Sequence, residues 1–307
     1  MDLSSIKVLV THANCPDGIA SALIVRDVMP DVRVVALDYG ADRDALPVEP
    51  GMLFVDMSPP AARVQEFVDA GAIVLDHHKT ARGVVEAFGD NGRFGDEQTD
   101  PGVCGAMLAF WHAWKGPRCH SMRWRDAVLS FATLAGVRDT WQREHPAWQA
   151  ACEQAEYLRF VGLDRALELG LDEVIANQGW LGAHLWARKQ EAAMRAAEQC
   201  YKTRCAEHAL AIVAGVDVVS DVADLLDADL VAGFRYEARC YPVLHVSLRS
   251  RGRVDVGALA QRLGGGGHSG AAGYRIDWTG DCSQMDPFHA IHHTLGLACQ
   301  QALGDAE

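Results

Sequence analysis

The sequence has no long hydrophobic run and no paired cysteine motif. No apolar stretch reaches the roughly 18 residues that a membrane-spanning helix needs, and the N-terminus MDLSSIKVLVTHANCPDG has no signal-peptide pattern. The nine cysteines are an odd number without any C-x-x-C pair, which favours reduced thiols over a disulfide framework. We therefore expect a cytoplasmic protein that does not associate with membranes.

Positive charge is also scarce. The chain carries 28 Lys and Arg against 41 Asp and Glu, a net charge of −13. A surface of this sign repels long polyanions, which excludes a general coating function on duplex DNA. The exception is the segment 230–275, which contains seven arginines and only two acidic residues. Any contact with nucleic acid is therefore expected to be local.

The rest of the composition is that of a folded chain with a substantial core. Hydrophobic residues make up 49% and charged residues 22%, which are ordinary values for a globular protein. A length of 307 residues predicts two domains. The sequence shows no internal repeat and no low-complexity tract, so fibrous and disordered classes are excluded.

The first third of the chain alternates short apolar runs with helical stretches, a pattern typical of βαβ units and a parallel sheet. Strands are predicted at 6–11, 32–37, 52–55 and 72–75, and helices at 18–29 and 60–70. From 102 to 171 the pattern is helical, with its clearest helix at 124–137. The fold class that follows is α/β.

A second α/β region follows a helical connector. The stretch 183–207 has no Gly or Pro and predicts one helix, after which the strand pattern returns. Strands are predicted at 209–213, 230–236, 241–248 and 274–276, with a helix at 256–263. We therefore divide the chain into a first domain at 1–182, a connector at 183–207 and a smaller second domain at 208–307.

Polar residues follow three of the predicted strands of the first domain. In open α/β sheets ligands bind beyond the carboxyl ends of the strands, so these side chains are expected to share one cleft. They are His12, Asp17, Asp56, Asp76, His77 and His78, joined by Asp139 from the helical region. Carboxylates and imidazoles together suit Mn²⁺, Zn²⁺ or Fe²⁺ better than Ca²⁺. Two divalent ions would balance the charge of the four aspartates.

Each of these aspartates also has an ordinary explanation. Asp17 precedes Gly18 and is suited to capping a helix, and Asp56 or Asp76 can simply end a strand. What favours a metal site is the coincidence of all of them with an Asp-His-His sequence directly after a strand.

Four short motifs and then three further segments occur in order along the chain. Residues 11–22 (THANCPDGIASA), 54–56 (FVD), 74–78 (VLDHH) and 136–139 (GVRD) resemble the four motifs of the DHH phosphoesterase superfamily. The segments VSLRS (246–250), VDV (254–256) and GGGGHSGAAG (264–273) resemble its associated DHHA1 domain. The resemblance spans residues 5–277. It implies a parallel-sheet DHH catalytic domain, a helical connector and a smaller DHHA1 substrate-binding domain.

The resemblance also implies a metal-dependent phosphodiesterase with two divalent ions. Mn²⁺ is the expected ion, and Mg²⁺ and Co²⁺ are the alternatives. The ligands that it assigns are His12 for one ion, Asp17, His77 and Asp139 for the other, and Asp56 for both. It gives Asp76 the role of orienting the histidines, and it gives His78 a contact with the substrate phosphate. Arg138 is a further candidate donor to the phosphoryl oxygens.

The first motif departs from the family pattern at one position. Most members have a carboxylate two residues before the aspartate at position 17, and this chain has Cys15 there with Asn14 beside it. Three alternatives stay open: the Cys15 thiolate completes the first metal site, the Asn14 carbonyl oxygen does so, or the site is weak and fills only with substrate. Cys15 as a small residue in a tight turn is an equally good interpretation.

The resemblance implies that the second domain binds the nucleotide end of the substrate. Glycines lack Cβ, so their backbone N–H groups can approach a phosphate or a base edge closely. The candidate substrate-binding residues are Arg249, Ser250, Gly265, Gly266, Gly267 and His268.

The acidic chain with one local basic segment favours a substrate with few phosphates, held by one end. Short single-stranded oligonucleotides or small nucleotide phosphoesters are therefore the expected substrates, hydrolysed to nucleoside monophosphates. A processive single-strand exonuclease is the second hypothesis, and a non-catalytic nucleotide-binding protein with a decayed first metal site is the third. We expect no duplex DNA and no membrane among the partners, and leave a homodimer open.

Overall fold

The chain divides into two units, residues 1–186 and residues 187–307, in the computed structural model. The structure describes residues 3–38, 41–96, 98–114, 122–215, 218–237, 243–277 and 286–304. Across these ranges, none of the helices combines the length and the apolar character that crossing a bilayer requires.

The first unit is built on a five-stranded parallel sheet. Its strands are β1 (Val8–His12), β2 (Arg33–Leu37), β3 (Met52–Val55), β4 (Ile73–Asp76) and β5 (Gly92–Phe94), in the order β2-β1-β3-β4-β5. The chain passes from β2 on one side of β1 to β3 on the other, so the topology reverses between β1 and β3. Such a reversal opens a crevice at the carboxyl ends of the strands. The polar residues that follow β1, β3 and β4 meet there.

Helices cover both faces of this sheet. Leu9, Leu53 and Leu75 pack on one face with α1 (Pro16–Val28), α6 (Met122–Asp139) and α7 (Trp148–Leu169). Val10 and Phe54 pack on the other with α3 (Val64–Asp69) and α4 (Arg82–Ala87). The central strands are buried on both faces, which is why their sequences are continuous apolar runs. The helices are α1 (Pro16–Val28), α2 (Ala41–Asp44), α3 (Val64–Asp69), α4 (Arg82–Ala87), α5 (Gly105–Leu108), α6 (Met122–Asp139), α7 (Trp148–Leu169) and α8 (Leu171–Glu198).

The second unit contains a six-stranded mixed sheet. Its strands are β6 (Tyr201–Cys205), β7 (His208–Ala214), β8 (Leu230–Glu237), β9 (Val243–Ser250), β10 (Gly266–His268) and β11 (Ala271–Asp277), in the order β10-β11-β9-β8-β7-β6. The β7–β8 pair is parallel, and the other neighbouring pairs of these six strands are antiparallel. The helices are α9 (Val219–Leu225), α10 (Val256–Arg262) and α11 (Pro287–Gly304).

The alternation of β9 explains how this sheet presents a polar face. Leu244, Val246 and Leu248 are buried in a core with α10 and α11, whereas the intervening His245 and Arg249 lie on the opposite, more open face. Helix α9 and the last turns of α8 cover the other part of that face.

The connector differs from the helix that the sequence predicts at 183–207. The helical pattern ends at Glu198, and Tyr201–Cys205 form a strand that pairs with β7 across a turn at Ala206. The alternating burial of this strand shows a period of two, which the polar composition of the segment hides at the sequence level. The α/β fold class, with a parallel-sheet unit followed by a smaller sheet unit, is confirmed.

Candidate metal centre

The imidazole of His77 lies among three carboxylates. Its Nε2 is 3.2 Å from Asp56 Oδ1, 3.4 Å from Asp139 Oδ2 and 3.7 Å from Asp17 Oδ2. Asp17 and Asp56 are each only 1% exposed, so water cannot screen their charges. The arrangement therefore favours a positive charge between these oxygens.

The pKa values of Asp56 and His77 reflect this crowding of carboxylates. Burial and the nearby Asp17 carboxylate raise the pKa of Asp56 well above its usual range. Burial alone would lower the pKa of His77, but its hydrogen bond to Asp56 and the charges of Asp139 and Asp17 outweigh burial and raise it to about 10. An imidazolium thus occupies the place that suits a cation.

Asp17 is fixed by the backbone of a distant segment. Its Oδ2 accepts a hydrogen bond of 2.6 Å from Gly105 N, and its Oδ1 accepts one of 2.9 Å from Ala106 N. A Cβ on Gly105 would lie 2.5 Å from Asp56 Cβ and 2.9 Å from Asp17 Oδ2. Glycine is therefore needed at 105 because α5 begins in direct contact with the carboxylates.

Asp76 forms a second fixed group with His78. The carboxylate accepts hydrogen bonds from His78 Nδ1 at 2.7 Å and from Ser58 Oγ at 2.6 Å. Burial would raise the pKa of Asp76, but these hydrogen bonds and the charge of His78 outweigh it and lower the pKa. Asp76 thus stays ionised and holds the His78 ring in one orientation.

The first motif brings His12, Asn14 and Cys15 to the same end of the sheet. His12 Nδ1 lies 3.8 Å from Asp56 Oδ2, and its Nε2 lies 3.6 Å from Asp38 Oδ1. Burial and the nearby His78 lower the pKa of His12. Burial and the Asp56 carboxylate raise the pKa of the Cys15 thiol well above its usual range.

Arg138 directly precedes Asp139, the last residue of α6, and its side chain is enclosed by tryptophans. Its guanidinium stacks 4.0 Å from the Trp141 ring centroid and 5.3 Å from that of Trp148, and the side chain is buried. These contacts hold the guanidinium in one position.

The donor set fits divalent metal ions. Three groups of ligand atoms, each within 4.8 Å of one another, are formed by His12, Cys15 and Asp56, by Asp56, His77 and His78, and by Asp17, His77 and Asp139. Asp56 belongs to two of the groups, and its buried Oδ2 accepts no hydrogen bond from the described residues. Its backbone has φ of 60°, an unfavourable value that is typical of a functional site.

Four of the six candidate substrate residues of the second unit, namely Arg249, Gly265, Gly266 and Gly267, line an open groove, and Ser250 does not. The groove has a volume of about 670 Å³, and its floor includes Arg249, Ser247 and His245 of β9. Arg235 and Arg275 add two guanidinium groups, because both are register partners of His245 on the neighbouring strands.

Arg249 is held in place on this groove. Its Nε donates to Ser220 Oγ at 2.8 Å, and its Nη1 donates to Ser247 Oγ at 3.0 Å. The neighbouring Ser250 has a structural contact, since its Oγ accepts a hydrogen bond of 3.0 Å from Val254 N. The backbone of His268 is part of β10, and its side chain lies outside the described residues.

The glycine run forms one edge of the groove. A Cβ on Gly265 would lie 2.1 Å from Gly273 O, and one on Gly267 would lie 2.5 Å from Ala272 Cα. These two glycines are therefore required by the close approach of β11. A Cβ on Gly266 would meet nothing within 4 Å, so the groove is open at that position.

The structure brings together the seven polar residues that the sequence places in one cleft. It adds three contacts that sequence reasoning missed: Asp38 beside His12, Ser58 on Asp76, and the backbone of Gly105 and Ala106 on Asp17. Asp38 follows β2 just as the other polar residues follow their strands, and that signal was present in the sequence. Gly105 is 88 residues from Asp17 and has no such signal.

Comparisons with known proteins agree with this architecture. Residues 212–282 match the family model of the DHHA1 domain. No curated protein sequence matches the chain. The structure is similar to that of the pGpG-specific phosphodiesterase PggH from Vibrio cholerae, with 13% identity, a TM-score of 0.57 and coverage of 95% of this chain and 99% of PggH.

Two exonuclease structures are also similar. One is exonuclease RecJ bound to manganese, with 19% identity, a TM-score of 0.54 and coverage of 95% of this chain and 90% of RecJ. The other is RecJ from Thermus thermophilus in complex with Mn²⁺, with 18% identity, a TM-score of 0.51 and coverage of 96% of this chain and 52% of RecJ. At these identities the similarity establishes a shared fold. The DHHA1 part of the resemblance is therefore confirmed over residues 212–282, and the two units share their fold with these phosphodiesterase and exonuclease structures.

Proposed function

We propose that the protein is a metal-dependent phosphodiesterase that hydrolyses short oligonucleotides or small nucleotide phosphoesters to nucleoside monophosphates. The observation that carries the proposal is the position of His77 Nε2 within 3.7 Å of three carboxylates at the carboxyl end of a parallel sheet. Proteins that share the fold include a pGpG-specific phosphodiesterase and an exonuclease bound to manganese, which supports this class of reaction.

The metal ligands in this proposal are His12 for one ion, Asp17, His77 and Asp139 for the other, and Asp56 for both. Two divalent ions, with Mn²⁺ preferred, supply Lewis-acid activation of the attacking water and neutralise charge on the phosphoryl oxygens. The backbone donors Gly105 N and Ala106 N keep the Asp17 carboxylate oriented.

His78 and Arg138 act on the substrate in this proposal. His78 contacts the substrate phosphate through Nε2, the ring nitrogen that Asp76 does not engage, and the Ser58–Asp76–His78 chain sets the direction of the ring. Arg138 is held rigidly by Trp141 and Trp148, which lowers the entropy lost when its guanidinium contacts a phosphoryl oxygen.

The groove of the second unit supports a small substrate. Its volume of about 670 Å³ lies within the roughly 300–1,000 Å³ of typical small-ligand sites. Two other arginines of the basic segment are paired on the surface, Arg251 with Asp224 at 3.1 Å and Arg253 with Asp229 at 2.8 Å. Local positive charge at the groove favours a short substrate over a long strand, and so favours this function over a processive exonuclease.

The six cysteines within the described residues are thiols and form no disulfide bond with one another, which supports a reducing compartment. We therefore propose the cytoplasm as the site of action.

The proposal is tested by the substitution Asp56→Asn, with Asp69→Asn on an exposed helix end as the matched control. We expect Asp56→Asn to keep its far-ultraviolet circular dichroism and to lose nearly all Mn²⁺-dependent hydrolysis, because one buried carboxylate serves both ions. Asp69→Asn is expected to behave as wild type, since Asp69 accepts its hydrogen bond from the exposed Gln65 side chain.

The substrates of this test run from dinucleotides to 24-mers, with cyclic dinucleotides and a nucleoside bisphosphate. More than a few per cent of wild-type turnover in Asp56→Asn would contradict the metal assignment. Nucleotide binding by the wild type without any metal-dependent turnover on the whole panel would instead identify a non-catalytic binding protein.

A further inference from the structure

The thiol of Cys15 lies at one end of the metal centre. Its Sγ, a ring nitrogen of His12 and a carboxylate oxygen of Asp56 lie within 4.8 Å of one another. His12 Nδ1 and Asp56 Oδ2 are 3.8 Å apart. Two ligand atoms on a tetrahedral ion with bonds of about 2.0–2.2 Å are separated by about 3.3–3.5 Å, which is close to this distance. Asp56 Oδ2 is buried and accepts no hydrogen bond from the described residues. It is therefore a second candidate ligand atom, beside Cys15 Sγ, at this end of the metal centre.

The backbone around Cys15 explains why the thiol is available. Cys15 is the N-cap of α1 with extended dihedral angles, and its side chain makes no capping hydrogen bond. A Ser, Thr, Asp or Asn at an N-cap would direct its oxygen to the backbone of the first turn. The preceding Asn14 has φ of 54°, and its amide donates to Asp38 Oδ2 at 3.3 Å. Asn14 is therefore engaged with Asp38, while the Cys15 Sγ lies with His12 and Asp56.

We propose that Cys15 is a thiolate ligand of the ion bound by His12 and Asp56, and that this half of the centre selects Zn²⁺ over Mn²⁺. The inference rests on the proposed function and deepens it, because it makes the two ions chemically different. Cys, His and Asp are all zinc ligands, and three protein ligands with one open position are typical of catalytic zinc sites.

Ligand chemistry gives the reason for the selectivity. Thiolates favour zinc, whereas carboxylates and water suit manganese and magnesium. When the sulfur–metal bond forms, the Cys15 S–H bond breaks and its proton passes to solvent. The Asp17, His77 and Asp139 group has two carboxylates and no thiol among its members, so it keeps its preference for Mn²⁺.

A second thiol provides a matched control. Cys104 is the N-cap of α5, is fully buried, and lies beside Asp17 on the other side of the centre. It is outside the group formed by His12, Cys15 and Asp56. If any thiol near the carboxylates sufficed for ligation, the loss of Cys104 would have the same effect as the loss of Cys15.

The first experiment uses Co²⁺ as a spectroscopic probe of the full-length protein after metal removal, without oxygen. We expect the wild type and Cys104→Ala to show a near-ultraviolet thiolate-to-cobalt charge-transfer band, and Cys15→Ser to bind Co²⁺ without that band. Circular dichroism confirms that each variant is folded. A band that persists in Cys15→Ser, a band lost in Cys104→Ala, or Co²⁺ binding by the wild type without a band would each overturn the proposal.

The second experiment measures Zn²⁺ and Mn²⁺ affinity by competition with a chelator in Cys15→Asp. We expect Zn²⁺ binding to weaken by more than the roughly 10- to 100-fold that loss of an outer-shell partner causes, and Mn²⁺ binding to stay equal or tighten. Equal losses for both ions would overturn the selectivity.

The outcomes separate this inference from the proposed function. Manganese-dependent hydrolysis by a wild type that binds Co²⁺ without a charge-transfer band contradicts the thiolate ligand and leaves the function in place. A wild type with the band that hydrolyses no substrate of the panel contradicts the function and leaves the ligand assignment in place.

Discussion

His77 shows how single residues respond to the crowding of carboxylates. In the metal-free protein its imidazolium offsets the charges of Asp17, Asp56 and Asp139, which lie within 3.7 Å of its Nε2. Its pKa rises from 6.5 to about 10 on folding, so folding stabilises the protonated ring. The corresponding stability is fully present below pH 6.5 and is lost as pH rises through 10.

We predict that the free energy of unfolding of the metal-free protein falls between about pH 6.5 and 10 because of His77. One proton contributes at most about 1.4 kcal/mol per pH unit over this window. Urea unfolding of chelator-treated protein at several pH values measures the slope, and His77→Gln is expected to remove this contribution. His184→Gln, on the exposed side of α8, serves as the control and should keep the wild-type slope. An unchanged slope in His77→Gln would contradict the prediction.

The limit of sequence reasoning is also visible at single residues. His12, Asp56 and Asp76 could be placed in one cleft because each lies at or directly after the carboxyl end of a strand, and parallel strands end at the same edge of a sheet. Ser58 could not be assigned to Asp76 from sequence, because a serine after a strand has many hydrogen-bonding alternatives and only the tertiary structure selects one.

At the level of elements, the start of α5 is the most restricted position of the centre. Its first two backbone N–H groups bind Asp17, and Gly105 approaches the Cβ atom of Asp56. Neither the four-residue helix nor its contact with α1 follows from hydrophobic periodicity, because the helix is too short to show a period.

We predict that Gly105→Ala weakens metal binding and destabilises the protein, with Gly83→Ala in α4 as the matched control. The new methyl group at 105 would lie 2.5 Å from Asp56 Cβ, and overpacking of this kind costs about 1–3 kcal/mol. A Cβ at Gly83 meets nothing within 4 Å, so that alanine is expected to be neutral or to stabilise by about 0.4–1 kcal/mol. Urea unfolding and Mn²⁺ titration of both variants test the difference. Wild-type metal affinity in Gly105→Ala would contradict it.

The elements that the sequence predicts correctly are those with a strong apolar pattern. The strand Met52–Val55 has the predicted bounds, and α6 extends the predicted helix by only two residues at each end. Tyr201–Cys205 was missed because its alternate residues are polar and no Gly or Pro separates it from the long helix before it. The three residues of Gly266–His268 form a strand only by pairing with β11, which no local pattern encodes.

For the whole molecule, the proposed function assigns hydrolysis to the metal centre and binding of the substrate to the groove. Under this proposal a short oligonucleotide would use both, whereas a small chromogenic phosphodiester would use the metal centre alone. Binding energy gained away from the reacting bond would then raise kcat/KM for the larger substrate only.

We predict that Arg249→Ala lowers kcat/KM for a short oligonucleotide by about 10- to 150-fold, the effect of losing a charge-assisted contact of roughly 1.5–3 kcal/mol. Hydrolysis of the chromogenic phosphodiester is expected to stay near the wild-type value. Arg253→Ala is the control, since Arg253 belongs to the same basic segment but pairs with Asp229 at 2.8 Å. Equal losses on both substrates would show that Arg249 acts through folding or at the metal centre.

The pairing of Arg251 and Arg253 with surface aspartates has a consequence for ionic strength. Each phosphate that a protein neutralises on a single strand releases counterions, and the logarithm of affinity then falls with the logarithm of salt concentration by about 0.7 per phosphate. Because these two guanidinium groups already have carboxylate partners, we expect the groove arginines, rather than Arg251 and Arg253, to release counterions when a strand binds. Strands longer than the groove should therefore bind with no steeper salt dependence than the shortest substrate that fills it.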